Sequence, residues 1–381
     1  MSAKFENTIS MSRPDINEDD ISLVVQALRS GRLSIGPFVD QFEELASKYI
    51  GTRYAVAVAS GTAGLHLCMA LAGVSEGKEV ITSPFSFVAS ANCILYERGT
   101  PVFVDIDEAT FNIDPAAVDA AITNRTVGIL PIHVFGRAAA MDRLCETADK
   151  HSLVLIEDAC EAFGASYRNR KVGTFGRASV FAFYPNKQMT TGEGGIITTD
   201  DPTWDANLRS LRNHGRAIMN ETLNFDQIGF NYRLNELSSA LGVSQLSRFD
   251  ELLQRREAVA AKYSARLSGV RGLQSLIPSE GTTRMSWFVY VVRFDASLGR
   301  DEIASRMAIK GIPTRNYFPS IHLQPVYRER FGFRPGQFPV TERVSSSTLA
   351  LPFHTNVSEQ EIEQVCAALS ESIDETVAAR G

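Results

Sequence analysis

The sequence predicts an α/β protein: a mostly parallel central sheet flanked by helices, followed by a small C-terminal α+β domain. Three observations carry that expectation. From Tyr54 onward, short apolar runs alternate with segments of helical period, which is the pattern of βαβ crossovers. After Asp201 the texture changes to longer helical periodicity, then to a second and shorter set of strand and helix signals. The 381 residues, 44% hydrophobic and 22% charged, suffice for a large core plus a smaller appendage and lie outside disordered or collagen-like compositions.

Residues 1–50 read as an N-terminal helical arm. Its first helix aligns Ile16, Val24 and Leu28 and is closed by Gly31; its second aligns Phe38, Phe42, Leu45 and Tyr49. The large domain is expected over 51–245, with strands at 54–59, 79–83, 101–106, 126–132, 153–158, 178–184 and 194–200. Helical patterns at 62–73, 87–97, 115–123 and 140–150 separate the first five strands. The last two follow without a helix between them, so a hairpin or an antiparallel edge is expected there. Tyr54–Val74 lacks any Asp, Glu, Lys or Arg, but Ser60-Gly61-Thr62 and Gly64 divide it into buried strand, turn and buried helix rather than a membrane span. A helix at 203–213 and an irregular segment to Arg233 lead into a periodic stretch from Leu234 to about Leu267. The bridging helix and small C-terminal domain take residues 246–381. They include a strand at 287–294, a helix at 301–310, a Pro- and aromatic-rich loop at 311–341, an apolar segment at 348–353 and a last helix at 358–377.

Thirty-eight Lys and Arg against 44 Asp and Glu give a net charge of −6, which argues against nucleic acid or an anionic membrane as partner. The five cysteines are scattered with no CxxC pair, and the stretch MSAKFENTISMSRPD has no apolar signal core. Reduced thiols and a cytoplasmic location are expected. The six histidines show no metal-ligand spacing, so no metal site is expected.

Glu157 and Asp158 end the strand LVLIED at the carboxyl edge of a parallel sheet, where α/β proteins bind ligands. Lys187 lies on a tight loop beyond the strand ASVFAFY, where partial desolvation lowers an amine's pKa and makes it nucleophilic. Ser60-Gly61-Thr62-Ala63-Gly64 joins a strand to a helix, so its N–H groups can hold a phosphate. Singly, these features read as a turn acid, a surface lysine and a glycine turn. Together they supply what pyridoxal phosphate needs: donors for the phosphate, a carboxylate for the pyridine nitrogen and an amine for the aldehyde. His66 reads as a satisfied core residue, and His133 as either a structural residue or a border of the site.

Eight ordered blocks extend this reading: SGRLSIGPFVDQFE (30–43), SGTAGLHL (60–67), SPFSFVASAN (83–92), PIHVFGRAAAMD (131–142), IEDACEAFGA (156–165), FAFYPNKQMTTGEGG (181–195), FNYRLNELSSALGVSQL (230–246) and YFPSIHLQPVY (317–327). Through them nearly the whole chain resembles the DegT/DnrJ/EryC1/StrS family of sugar aminotransferases, pyridoxal phosphate enzymes of fold type I. The resemblance implies that Lys187 bonds the cofactor and then moves the proton, and that Asp158 holds the pyridinium. It further implies that Phe87 stacks on the ring, Gly61 and Thr62 bind the phosphate, and Glu161 stands beside the phenolic oxygen where many members have Gln. Asn231 would reach the phosphate of a neighbouring subunit, making the active sites of a homodimer shared. Many members carry Ser where this chain has Ala182, which implies a weaker hold on the phosphate. Sugar 3-dehydratases of the family carry His at the lysine position, so Lys187 favours transamination.

The implied reaction moves an amino group from L-glutamate to a keto group of a nucleotide-linked deoxysugar. YFPSIHLQP and VFAFYPNKQMTTGEGG resemble members that aminate carbon 4, perosamine synthases among them. A 3-keto sugar, a keto-cyclitol and a non-catalytic cofactor-binding regulator are the alternatives. The segments that resemble substrate loops nominate Arg32, Tyr184, His214, Arg315 and His322 as substrate-binding residues, with Arg212, Arg216 and Arg233 as further diphosphate candidates.

Overall fold

The computed structural model describes residues 9–216, 224–278 and 280–380. It opens with α1 (Glu18–Arg29) and α2 (Pro37–Ile50). Asn17 and Asp20 form a capping box on α1, each side chain accepting the other's backbone N–H, at 2.9 and 3.0 Å. Pro37 starts α2, where a missing N–H removes no helical bond, and left-handed Gly51 ends it.

The large sheet takes β1 (Tyr54–Val58), β2 (Glu79–Thr82), β3 (Thr100–Phe103), β4 (Thr126–Leu130) and β5 (Val154–Asp158). After the two-residue strands β6 (Ser166–Tyr167) and β7 (Arg170–Lys171) it adds β8 (Ala178–Ala182) and β9 (Gly195–Thr199). The order is β1-β9-β8-β5-β4-β2-β3. From β8 to β3 all neighbours are parallel, while β9 runs against both β8 and β1. The antiparallel strand expected from the sequence exists, but not at an edge, because β1 covers its far side. Adjacent residues along the strands enter opposite apolar layers: Ala57, Leu155, Phe181 and Ile196 join one, Val58, Ile156, Val180 and Ile197 the other. Burial of both faces explains why these strands read as continuous apolar runs.

The crossovers are α3 (Gly61–Leu71), α4 (Ala89–Tyr96), α5 (Pro115–Ala121) and α6 (Met141–His151), and α7 (Pro202–Leu211) follows β9. Tyr54–Val74 is thus a strand, a turn and a helix. Among the described residues, no helix is long and apolar enough to cross a membrane. The cysteines are free thiols.

The periodic stretch after Leu234 is two helices, α8 (Glu236–Ser247) and α9 (Phe249–Leu267). They break at Arg248, whose guanidinium pairs with Asp15 at 2.9 Å and Asp20 at 2.7 Å. Phe42 of α2 presses so closely on α8 that a Cβ at Gly242 would lie 2.8 Å from its ring. Burying one such phenylalanine contributes about 1.5–3 kcal/mol, and α2 buries Phe38, Phe42 and Ile50 in the same cluster as Leu246 and Phe249. Asp15 also reaches Arg255 at 3.0 Å and the Thr355 hydroxyl at 2.8 Å, while its carbonyl accepts Gln245 Nε2 at 2.7 Å.

The C-terminal part holds β10 (Leu273–Ser275), β11 (Thr282–Arg284), β12 (Tyr290–Phe294), α10 (Arg300–Ile309), α11 (Pro325–Phe331), α12 (Pro339–Ser347), β13 (Thr348–Leu351) and α13 (Glu359–Ala378). Antiparallel β10-β12-β13 carries one apolar cluster with α9, α10 and α13, and β11 pairs back with β6. Two expectations change here. The strand foreseen at 287–294 starts only at Tyr290, because Trp287 adopts φ 50. The segment foreseen as a loop at 311–341 contains α11 and the start of α12, each opened by a proline at its first turn.

Candidate active site

β1 delivers the chain to Ser60, whose hydroxyl caps α3 by accepting the Ala63 N–H at 3.1 Å. The N–H groups of Gly61 and Thr62, in the first turn, remain available to an anion, and the helix dipole favours one there. Residue 61 must be glycine. A Cβ would sit 2.7 Å from the Ala182 Cβ and 2.8 Å from Cys160 Sγ.

The paired acids at the end of β5 face different surroundings. Glu157 is 0% exposed and accepts N–H groups from Gly173, Phe175 and Gly176 at 2.8–2.9 Å, and from His133 at 3.1 Å. Because His133 Nδ1 accepts the Ala139 N–H at 3.0 Å, the ring proton is on Nε2 and donates to Glu157. Burial opposes the Glu157 charge, but His133 and the backbone donors hold its pKa below the usual carboxylate range. Asp158 is 4% exposed, and its Oδ2 accepts the Ser90 hydroxyl at 2.6 Å while Oδ1 accepts the Cys160 N–H at 3.2 Å. Both acids were legible as strand-end carboxylates, yet only Asp158 faces a cavity.

That cavity, of about 440 Å³, brings together Gly61, Thr62, Phe87, Asp158, Glu161, Tyr184 and Lys187. Lys187 follows β8 on a turn closed by its own N–H to the Tyr184 carbonyl at 2.9 Å. Its Nζ stands 3.8 Å from the centre of the Phe288 ring. Gln188 fastens the loop through Nε2, donating to the Glu161 carbonyl at 2.5 Å and to Ser286 Oγ at 2.8 Å. Glu161 is buried, with Oε2 accepting the Phe135 N–H at 2.8 Å. Burial pushes its pKa up to about 7, reinforced by the Asp158 charge and opposed by Lys187 and the Phe135 N–H. Phe87, which as a lone aromatic would ordinarily be core, is 62% exposed and lines the cavity. Ser86, Ser90 and Phe288, which the sequence did not single out, also line it, as do Tyr317 and Phe318 from the loop at 311–325 that the sequence nominates for the acceptor pocket.

Several nominated residues lie elsewhere. Arg32, Arg212, Arg216 and Arg233 line a second cavity of about 350 Å³, where Arg212 is already bonded to Glu43 and to the Ala57 carbonyl. Asn231 and His214 are exposed and do not line the 440 Å³ cavity of their own chain. Arg315 is exposed, and its backbone pairs with Ala350. His322 requires correction as a substrate residue. It is fully buried, bonded to Glu342 at 3.1 Å and packed on the Phe338 ring, and it has no face on the cavity. His66 is bonded to the Tyr232 hydroxyl at 3.0 Å and to Glu97 at 2.8 Å, a structural role like that of His133.

The profile of the DegT/DnrJ/EryC1/StrS aminotransferase family matches residues 14–370. The chain belongs to this family. As a member of the DegT/DnrJ/EryC1/StrS aminotransferases it is a sugar aminotransferase of a pyridoxal phosphate-dependent family. GDP-perosamine synthase of Caulobacter vibrioides is 36% identical over 366 residues, covering 95% of this chain and 98% of that protein. The spore coat polysaccharide biosynthesis protein SpsC of Bacillus subtilis is 35% identical over 387 residues, covering 98% and 99%. The putative sugar aminotransferase Spr1654 of Streptococcus pneumoniae, in its PMP form, matches with TM-score 0.94 at 26% identity, covering 98% of this chain and 100% of that one. The cavity fits the family's cofactor on its own geometry: a helix N-terminus with a glycine floor, a buried carboxylate, an exposed aromatic face and an amine converge on it.

Proposed function

We propose that this chain transfers an amino group from L-glutamate to the 4-keto group of a nucleotide-linked deoxysugar, with pyridoxal phosphate held in the 440 Å³ cavity. The single observation that carries the reading is the convergence of Lys187, Asp158, Phe87 and the Gly61-Thr62 turn on that cavity. When bound, pyridoxal phosphate supplies an electron sink that acidifies the amino acid's Cα–H and stores its nitrogen between half-reactions. The chain's residues do the rest. Gly61 and Thr62 bind the phosphate through backbone N–H groups, and Phe87 lies against the ring. Asp158 keeps the ring nitrogen protonated, and Glu161 borders the phenolic oxygen. Lys187 Nζ anchors the cofactor, and once free it takes a proton at one carbon and returns it at another.

The acceptor reading is supported by the 36% identity to a protein named GDP-perosamine synthase. Tyr184 at the cavity edge, with Arg32, His214 and Arg315, binds the nucleotide-sugar. His322 is omitted for its burial. A homodimer with shared sites is supported by Asn231, which is exposed and outside its own chain's cavity, and by exposed Leu28, Leu33, Ile35 and Ile228. In this division residues 51–245 hold the cofactor and 246–381 close over it with Phe288 and Tyr317. The test is incubation of the purified protein with L-glutamate and a panel of nucleotide-linked 3-keto and 4-keto sugars, read by product mass. Amination of the 4-keto compounds is expected; turnover by a Lys187→Ala variant would overturn the mechanism.

A further inference from the structure

Asp158 does not stand alone in the cavity. Ser90, in the first turn of α4, is 1% exposed and donates its hydroxyl proton to Asp158 Oδ2 over 2.6 Å. A serine hydroxyl has one proton to give. In its second side-chain contact, 2.8 Å to Ser86 Oγ, Ser90 must therefore accept, which makes Ser86 the donor. The result is a one-way hydroxyl chain, Ser86 to Ser90 to Asp158, whose three members are buried and line the cavity. Ser86 immediately precedes Phe87, and the Ser90 N–H donates to the Phe87 carbonyl at 3.2 Å. The aromatic face and the carboxylate floor of the cavity are thus joined by the same short segment.

We propose that Ser90, polarised by Ser86, is a positioning residue that fixes the orientation of the Asp158 carboxylate where it meets the cofactor's ring nitrogen. One physical effect supports this. A carboxylate with one donor on each oxygen, Ser90 on Oδ2 and the Cys160 N–H on Oδ1, has a single rotamer rather than a choice of two. Ser86 strengthens the effect because a hydroxyl that accepts a hydrogen bond becomes a better donor.

The proposal rests on the cofactor reading above, and the experiment separates the two. Cofactor-free protein is titrated with pyridoxal phosphate, following intrinsic fluorescence and the absorbance band of the bound form. Ser90→Ala should weaken binding roughly 10- to 100-fold, the range of a charge-assisted hydrogen bond, and should move the band. Ser90→Thr, which keeps the hydroxyl, should restore both to within about threefold. Ser86→Ala should weaken binding about 2- to 10-fold, and Ser86→Ala with Ser90→Ala should be no weaker than Ser90→Ala alone, because Ser86 acts only through Ser90. Unchanged affinity and band in Ser90→Ala, or additive losses in the double variant, overturn the proposal. Should Ser90→Ala fail to fold, Ser86→Ala decides alone, since it leaves the direct partner of Asp158 intact and unchanged affinity would contradict the chain. Wild-type protein that takes up no pyridoxal phosphate would instead overturn the proposed function.

Discussion

Glu157 and Asp158 are consecutive residues at the end of one strand, both hidden from solvent, yet they belong to two regions built on opposite rules. On one face of β5, Glu157 accepts from three backbone N–H groups and His133, so its charge is fully occupied in holding the chain together. On the other, Asp158 and Glu161 line a cavity with fewer donors than their lone pairs can take, and a half-exposed aromatic and an amine stand across from them. Hydrogen-bond saturation separates structure from chemistry here where burial does not. A buried acid with its bonds complete is mortar; one with capacity left over is waiting for a ligand.

That contrast can be broken or sharpened by substitution. The largest expected effect is on the unsaturated side: Lys187→Ala should cut amine transfer on the order of 10⁴-fold or more with little change in melting temperature, measured by product formation and thermal unfolding. On the saturated side, Glu157→Ala should destabilise the fold by about 3–5 kcal/mol through the stranded partners it leaves, while activity per folded molecule is retained. Denaturant titration beside active-site counting checks this, and loss of activity without loss of stability would erase the distinction. The Glu157 pKa is lowered by folding, so its stabilising contribution is present above the ordinary carboxylate pKa and is lost as pH falls through the lowered one.

Glu161 carries the opposite sign. Folding raises its pKa from 4.5 to about 7, so the penalty for its charge grows between those values and is complete above them. Glu161→Gln should therefore stabilise the cofactor-free protein by up to about 3 kcal/mol at pH 8 and by little at pH 4, read from unfolding curves at both; a pH-independent difference would count against it. The smallest effect expected is Ala182→Ser, which restores a hydroxyl beside Gly61 and should tighten pyridoxal phosphate binding about 3- to 10-fold by equilibrium titration.

What was legible in the sequence follows from how locally each feature is encoded. The seven large-sheet strands announce themselves because both faces are buried, and Gly61, Asp158 and Lys187 are legible because each ends such a strand or lies within five residues of its end. Phe87 needed the family pattern, since a lone aromatic reads as core. Two-residue β6 and β7 form a tight local hairpin too short to show a strand pattern, and polar β10 and β11 exist only through pairing with segments elsewhere in the chain. The helices at 325 and 339 were obscured by prolines that read as breakers but serve as first-turn residues. Ser90 and Phe288 reach the cavity from a helix turn and from a segment 101 residues beyond Lys187, and neither residue type signals that. His322 was misassigned because nothing near it in sequence reveals Glu342 and Phe338 closing around it.

The clamp on Asp15 has a consequence for how this chain is made. Its partners are Gln245, Arg248, Arg255 and Thr355, so Asp15 completes its bonds only after 340 further residues have been made. Helix α1 packs on α8, so it cannot take its place until more than 200 further residues have been made. A segment that precedes the large sheet is thus fastened in full only once the strands of the small C-terminal sheet have been made.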